Sequence, residues 1–165
     1  MAALIFAQLV LGALAAAWRL SPLKLELFVW HKSLGMLILA LVLLRLSWRA
    51  GHPAPPLPAD TAPWERMAAR ATHALLYALM IALPLTGWVI SSAANVPFSV
   101  FWLLPLPAIV EPSKETEHLA ADAHLVMVVA LALLVGLHVA AALRHHFVKR
   151  NTVLARMLPG TGGEA

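Results

Sequence analysis

His124 and His138 lie fourteen residues apart in one apolar segment. On a helix this spacing covers about 21 Å and, at about 100° per residue, returns to nearly the same face. The chain holds eight histidines and is otherwise mostly lipid-soluble. An ionisable side chain at bilayer depth is expensive and marks function, and imidazole is a common axial ligand of haem iron. One helix could thus offer imidazoles to two sites stacked across a membrane. His31 opens the second apolar segment and His124 the fourth. Both segments start on the same side, so these two rings should lie at similar depth, as the axial pair of one haem requires. Gly35 sits one turn inward from His31 and Ala120 one turn outward from His124, small enough for a porphyrin plane to approach.

A second group lies toward the other side. Arg45 follows His31 by fourteen residues and reaches a depth comparable with that of His138. A charge there wants an anion such as a haem propionate, or it snorkels to the surface. His73, at the start of the third apolar segment, suits three roles: axial ligand, propionate donor or hydrogen-bonded interfacial residue. Arg144 and His145, with His146 and Lys149, form a basic rim. That rim would serve a quinone headgroup or bind lipid phosphate. His52 and His118 are loop residues without an assigned role.

The elements that must position these groups are membrane helices. The chain is 61% hydrophobic and 12% charged, with a mean hydropathy of +0.81, which a soluble domain of 165 residues does not show. A pI near 10.1 could suggest nucleic acid, but the basic residues cluster at the ends of apolar runs. There is no cysteine, which excludes disulfides, thiolate-ligated clusters and covalently attached c-type haem. Four segments approach the roughly 20 apolar residues that a span needs: Met1–Trp18, Phe28–Leu46, Ala71–Ala93 and Ala121–Leu143. The first reads as a span rather than a cleaved signal peptide, because it lacks a positive leading region. Proline-rich breaks, His52–Pro63 and Asn95–Glu117, separate the others. The expectation is an all-α, up-down-up-down four-helix membrane bundle, with Pro84 bending the third span.

Lys and Arg set the orientation. Arg45, Arg49, Arg66, Arg70, Arg144, Lys149, Arg150 and Arg156 fall on one side, and Arg19, Lys24, Lys32 and Lys114 on the other. This places both termini in the cytoplasm and the acidic loop Glu111–Asp122 outside. Trp18, Trp30, Trp48 and Trp64 fall near the predicted boundaries, as an aromatic belt would.

With these residues in place, the chain resembles the bacterial cytochrome b561 family of four-helix membrane haem proteins. The resemblance rests on HKSLGMLILALVLLRLSWR (His31–Arg49), RMAARATHALLYALMIALPLTGWVIS (Arg66–Ser91), AHLVMVVALALLVGLHVAAALRHHF (Ala123–Phe147) and the tail NTVLARM (Asn151–Met157). It covers most of the chain, and the combined histidine spacing is its most specific part. The resemblance implies b-type haem in the bundle, with His31 and His124 as the outer pair and His138 as one inner ligand. The family's other inner ligand would fall just before Met1, and no histidine precedes His31. The expectation is one haem b, and two if a leader of roughly ten to twenty residues precedes a first span that is barely long enough to cross. Replacement of the missing ligand by His73 is the alternative.

The resemblance implies a single transmembrane cytochrome b domain over 1–158 with a short tail over 159–165, in a bacterial inner membrane. Iron with two histidine ligands suits electron transfer. The leading expectation is transfer from an outer-face donor, superoxide among them, to the quinone pool. Lys24 and Lys32 would attract an anionic donor. The alternatives are a haem-containing anchor subunit for a partner dehydrogenase or hydrogenase, and a haem-free transporter or scaffold.

Overall fold

The computed structural model describes residues 1–52 and 62–148. Part of the proline-rich break (53–61), Lys149, Arg150, Arg156, the Asn151–Met157 stretch and the 159–165 tail lie outside the described residues. In chain order the elements are α1 (Ala2–Ala17), α2 (Pro22–Gly51), α3 (Pro63–Ala93), β1 (Phe98–Val100), β2 (Leu104–Leu106) and α4 (Lys114–Phe147).

Local sequence explains where the helices start. Ser21 caps α2 by accepting the Lys24 N–H, with Pro22 in the first turn, where its missing donor does no harm. Ser113 does the same for α4 through the Thr116 N–H. Pro63 opens α3, and the Glu65 carboxylate accepts the Ala62 N–H at 3.3 Å. Lys24 Nζ donates to the Ala16 and Trp18 carbonyls, closing the end of α1. Lys24 thus also holds a helix end, with these contacts at the surface.

Consecutive helices run antiparallel. Gln8 of α1 meets His31 of α2, Arg45 and Arg49 of α2 meet Tyr77 of α3, and Thr86 of α3 meets His124 of α4. Glu65, at the start of α3, meets Arg144 near the end of α4. The molecule is inverted relative to a soluble bundle. Leu44, Leu75, Leu125, Leu133 and Leu137 are exposed, while Ala15, Gly35, Ala93, Ala120 and Ala142 are buried. Lipid offers no hydrophobic drive between helices, so small residues permit close packing and large apolar ones face outward. Trp18, Trp30, Trp48 and Trp64 are all exposed, consistent with boundary anchors.

Two expectations change. First, α1 has 16 residues, about 24 Å, which is short of the ~30 Å hydrocarbon core. Among the described residues three helices are long and apolar enough to cross, α2, α3 and α4, and α1 is a shorter apolar helix. Helices α2 and α4 extend beyond the segments read as spans at both ends, and α3 at its start, because more polar turns continue them. Second, the chain is mostly helical rather than all-α. The stretch read only as a proline-rich break contains an antiparallel hairpin, β1 with β2, pairing Phe98 with Leu106 and Val100 with Leu104. Pro105 is tolerated opposite Ser99 because each strand of a two-stranded ribbon keeps an open edge. Helix α3 runs through Pro84 unbroken.

The ion pair between Arg144 and Glu65 (3.0 Å) ties the α3 start to the α4 end. The Glu65 side chain is 8% exposed and that of Arg144 52%. Arg144→Gln should leave Glu65 facing a neutral amide and cost about 1–2 kcal/mol, between exposed and fully buried pairs. The measurement is thermal unfolding in detergent. A Glu65→Gln/Arg144→Gln double variant should recover part of the loss, and an unchanged melting temperature for the single variant would show that the pair contributes nothing.

Candidate functional site

His31 and His124 converge, as their matched depth required. Their ring centroids are 6.4 Å apart, with planes at 71°. Two imidazoles on opposite sides of one iron have nitrogens about 4 Å apart and ring centres roughly 6.3 Å apart, given metal–nitrogen bonds of ~2.0–2.1 Å. Both rings line a cavity of about 550 Å³ walled by all four helices. Its lining is mainly apolar, including Leu9, Phe28, Met80, Leu83, Val128 and Leu131.

Each ring is held by a specific neighbour. The Thr86 hydroxyl lies 2.9 Å from the Leu83 carbonyl, 3.1 Å from the Ala82 carbonyl and 2.9 Å from His124 Nδ1. A hydroxyl has one proton, and the carbonyls can only accept it. Thr86 therefore accepts from His124 Nδ1–H, which leaves the lone pair on Nε2 available to a metal. On the other side, the Gln8 amide donates to the His31 carbonyl at 3.0 Å and lies 3.4 Å from His31 Nε2. His31 Nδ1 and Gln8 Oε1 are buried without a partner. Unbonded buried polar atoms are rare and ask for an occupant.

Glycine makes the approach of α1 possible. A Cβ on Gly12 would lie 2.7 Å from His31 Cε1 and 3.1 Å from Nδ1, so any side chain there displaces the ring. A Cβ on Gly87 would meet His124 Cε1 at 3.7 Å, an ordinary contact. Gly35 lines the cavity as expected, but the Gln8 amide lies 3.2 Å from where its Cβ would be. In this structure its small size admits Gln8. The paired imidazoles, the unbonded ring nitrogen, the glycine cradle and the apolar cavity fit a haem.

The second set of residues gathers at the opposite end. His73 and His138 have ring centroids 5.4 Å apart and planes at 67°. That is about 1 Å closer than an iron-spanning pair would sit. Arg45 does reach this end, but its Nε donates to the Tyr77 hydroxyl at 3.1 Å, and Arg49 approaches the same oxygen at 3.5 Å. Arg144 is engaged by Glu65, and His145 is half-buried in the last turn of α4. Lys32 lines the His31–His124 cavity, with Nζ 5.6 Å from the centre of the Phe98 ring. Among the described residues no cluster of three or more His, Cys, Asp or Glu could hold a metal ion by side chains alone.

Sequence reading missed Gln8, Gly12, Glu65, Tyr77 and Thr86. Gln8 had a signal, since it is the one amide in an otherwise apolar helix. Tyr77 is the only tyrosine of the chain. Thr86 had none, because a threonine in an apolar helix ordinarily bonds its own backbone.

The chain is 36% identical over 129 residues to "Cytochrome b561 homolog 2" of Escherichia coli (strain K12), covering 78% of this chain and 68% of that protein. It is 30% identical over 133 residues to "Probable superoxide oxidase CybB" of Yersinia pestis, covering 81% and 75%. It is 27% identical over 129 residues to "Cytochrome b561 homolog 1" of Escherichia coli (strain K12), covering 78% and 73%. The family model described as prokaryotic cytochrome b561 matches residues 1–160. Sequence match, apolar helices and paired imidazoles together place this chain in the prokaryotic cytochrome b561 family, a family of membrane b-type haem electron carriers.

Proposed function

We propose that this protein carries electrons from a donor at the His31–His124 end of the bundle to quinone in a bacterial inner membrane. The observation that carries this reading is the 6.4 Å separation of the two imidazoles across an apolar cavity. A b-type haem held there by His31 and His124 would supply a one-electron ferric/ferrous couple suited to electron transfer. His31 and His124 bind, Thr86 orients His124, and Gly12 admits the His31 ring. The apolar walls exclude water. Lys32 adds positive charge at the cavity, which favours an anionic donor. Superoxide fits that charge, and a relative named as a probable superoxide oxidase supports it.

The reading assigns one haem to this chain. Supporting this count, the His73–His138 rings sit too close to bracket an iron without opening. Arg144 and His145 are proposed for the quinone headgroup at the other end, where Arg144 keeps about half of its surface exposed. Both termini are proposed to face the cytoplasm. Among the described residues Arg45, Arg49, Arg66, Arg70 and Arg144 lie toward the end opposite His31 and His124.

The purified protein is expected to show a low-spin haem spectrum with one haem per chain. His31→Ala or His124→Ala should abolish it, while His73→Ala should retain it. Full haem content in both of the first two variants would overturn the assignment. Loss in His73→Ala would move the site to the other end.

Thr86→Val keeps the shape but removes the acceptor of His124 Nδ1–H. Haem retention should weaken on the order of ten- to a hundredfold. The midpoint potential should rise, because a hydrogen-bonded imidazole is the more electron-rich ligand. An unchanged potential and affinity would show that the contact does not act on the metal.

The two glycines should behave differently. Gly12→Ala pushes a methyl group into the His31 ring and should sharply reduce haem content, whereas Gly87→Ala should leave it near the parental level. Spectra of the two purified variants decide this, and equal behaviour would contradict the close approach of α1.

A further inference from the structure

The hairpin turn after β1 carries bulky side chains where the backbone disfavours them. Phe101 and Trp102 have φ of 49° and 61°, and the Leu103 N–H donates to the Val100 carbonyl at 3.0 Å. Positive φ at both central positions of such a turn normally selects Gly, Asn or Asp. Specific contacts hold this one in place. The Phe101 N–H donates at 2.8 Å to the hydroxyl of Ser33, which is fully buried on α2. The Trp30 ring meets Phe101 edge-on at 5.8 Å and Trp102 at 5.4 Å.

The strained turn presents apolar side chains outward. Trp102 is 55% exposed, Leu103 85% and Leu104 60%. Residues 95–110 contain no charged residue, so the hairpin offers no ion-pairing group to a charged protein surface. It is instead continuous with a stripe on α2. Trp30, Leu37, Leu44 and Trp48 are all exposed. Their spacings of seven, seven and four residues keep them on one helix face. Trp30 and Trp48 are about 27 Å apart along the axis, close to the ~30 Å thickness of a hydrocarbon core, with an indole at each boundary. The hairpin tip joins this stripe at its Trp30 end.

We propose that the hairpin 98–106 is a lipid-docked element. Its tip, Trp102–Leu104, inserts at the headgroup–acyl boundary of the leaflet nearest His31 and His124, and its occupant is phospholipid. Phe98, on the same hairpin, is buried and lines the cavity. Lipid docking of the tip therefore keeps the cavity wall in place. The proposal rests on the reading that α2 crosses the membrane.

The chain has no cysteine, so Leu103→Cys and Leu44→Cys each accept a single nitroxide label. The full chain is reconstituted in phosphatidylethanolamine/phosphatidylglycerol vesicles, and label accessibility to oxygen and to a water-soluble nickel chelate is measured. Both labels are expected to favour oxygen, with Leu44 deeper than Leu103. Leu104→Cys provides a second tip position with the same expectation. A tip label exposed to nickel while the Leu44 label stays in lipid overturns the hairpin proposal and leaves the spanning reading intact. Nickel access at Leu44 overturns the spanning reading and the proposal with it. A tip label shielded from both reagents marks a protein contact and also overturns it. Ser33→Ala in the Leu103→Cys background should make the label more mobile and shallower, and an unchanged label would refute presentation of the tip by the buried hydroxyl.

Discussion

Two imidazoles from helices that are not neighbours in sequence must meet at one depth, and much of this molecule can be read from that constraint. His31 and His124 sit on α2 and α4, with α3 between them in the chain. The long helices therefore need a common register, and that register is set by polar contacts at both ends. Thr86 fixes α4 against α3 beside His124, while Glu65 and Arg144 fix the same pair at the far end. Arg45 and Arg49 on Tyr77 do the equivalent for α2 and α3. In a lipid-facing bundle these few polar contacts carry positional information that apolar packing cannot, because leucine against leucine differs little from leucine against an acyl chain.

The cavity is built from small residues as much as from large ones. Gly12 lets α1 touch the His31 ring, and Gly35 lets the Gln8 amide enter beside it. Helix α1 thus closes the cavity although it is shorter than the other three helices. Its contribution is local, an amide and a glycine one turn apart, facing the same imidazole. A haem between the two rings would meet largely apolar walls, with the charged Lys32 among the lining residues. This combination suits an electron carrier whose cofactor is shielded from water.

The connection between α3 and α4 is more ordered than its four prolines suggest. Trp88 Nε1–H donates to the Pro107 carbonyl, the Ile109 N–H donates to the Ser92 hydroxyl and the Ser113 N–H donates to the Ala93 carbonyl. These bonds fold the segment back over the helix ends. The two-stranded ribbon then presents an aromatic turn beside Trp30. Strain at Phe101 and Trp102 persists because a buried serine hydroxyl and an aromatic cluster overdetermine the turn.

The apolar runs, the breaks between them and the matched depth of His31 and His124 were all legible in the residues. Each depends on hydropathy and helical period, which are local properties. The same logic brought Arg45 to the end of the bundle that holds His73 and His138. The hairpin was not legible, since proline-rich composition marks a break in helix without saying what replaces it. Gln8, Gly12, Thr86 and Glu65 were invisible for a different reason. Their roles come from which side chain of another helix stands opposite, and helix periodicity does not specify rotation or register between helices. The sequence by itself determined a membrane-bound chain with imidazoles at two levels. Only the tertiary structure decided that one pair stands an iron's width apart while the other stands closer, because that distance is a property of helix packing.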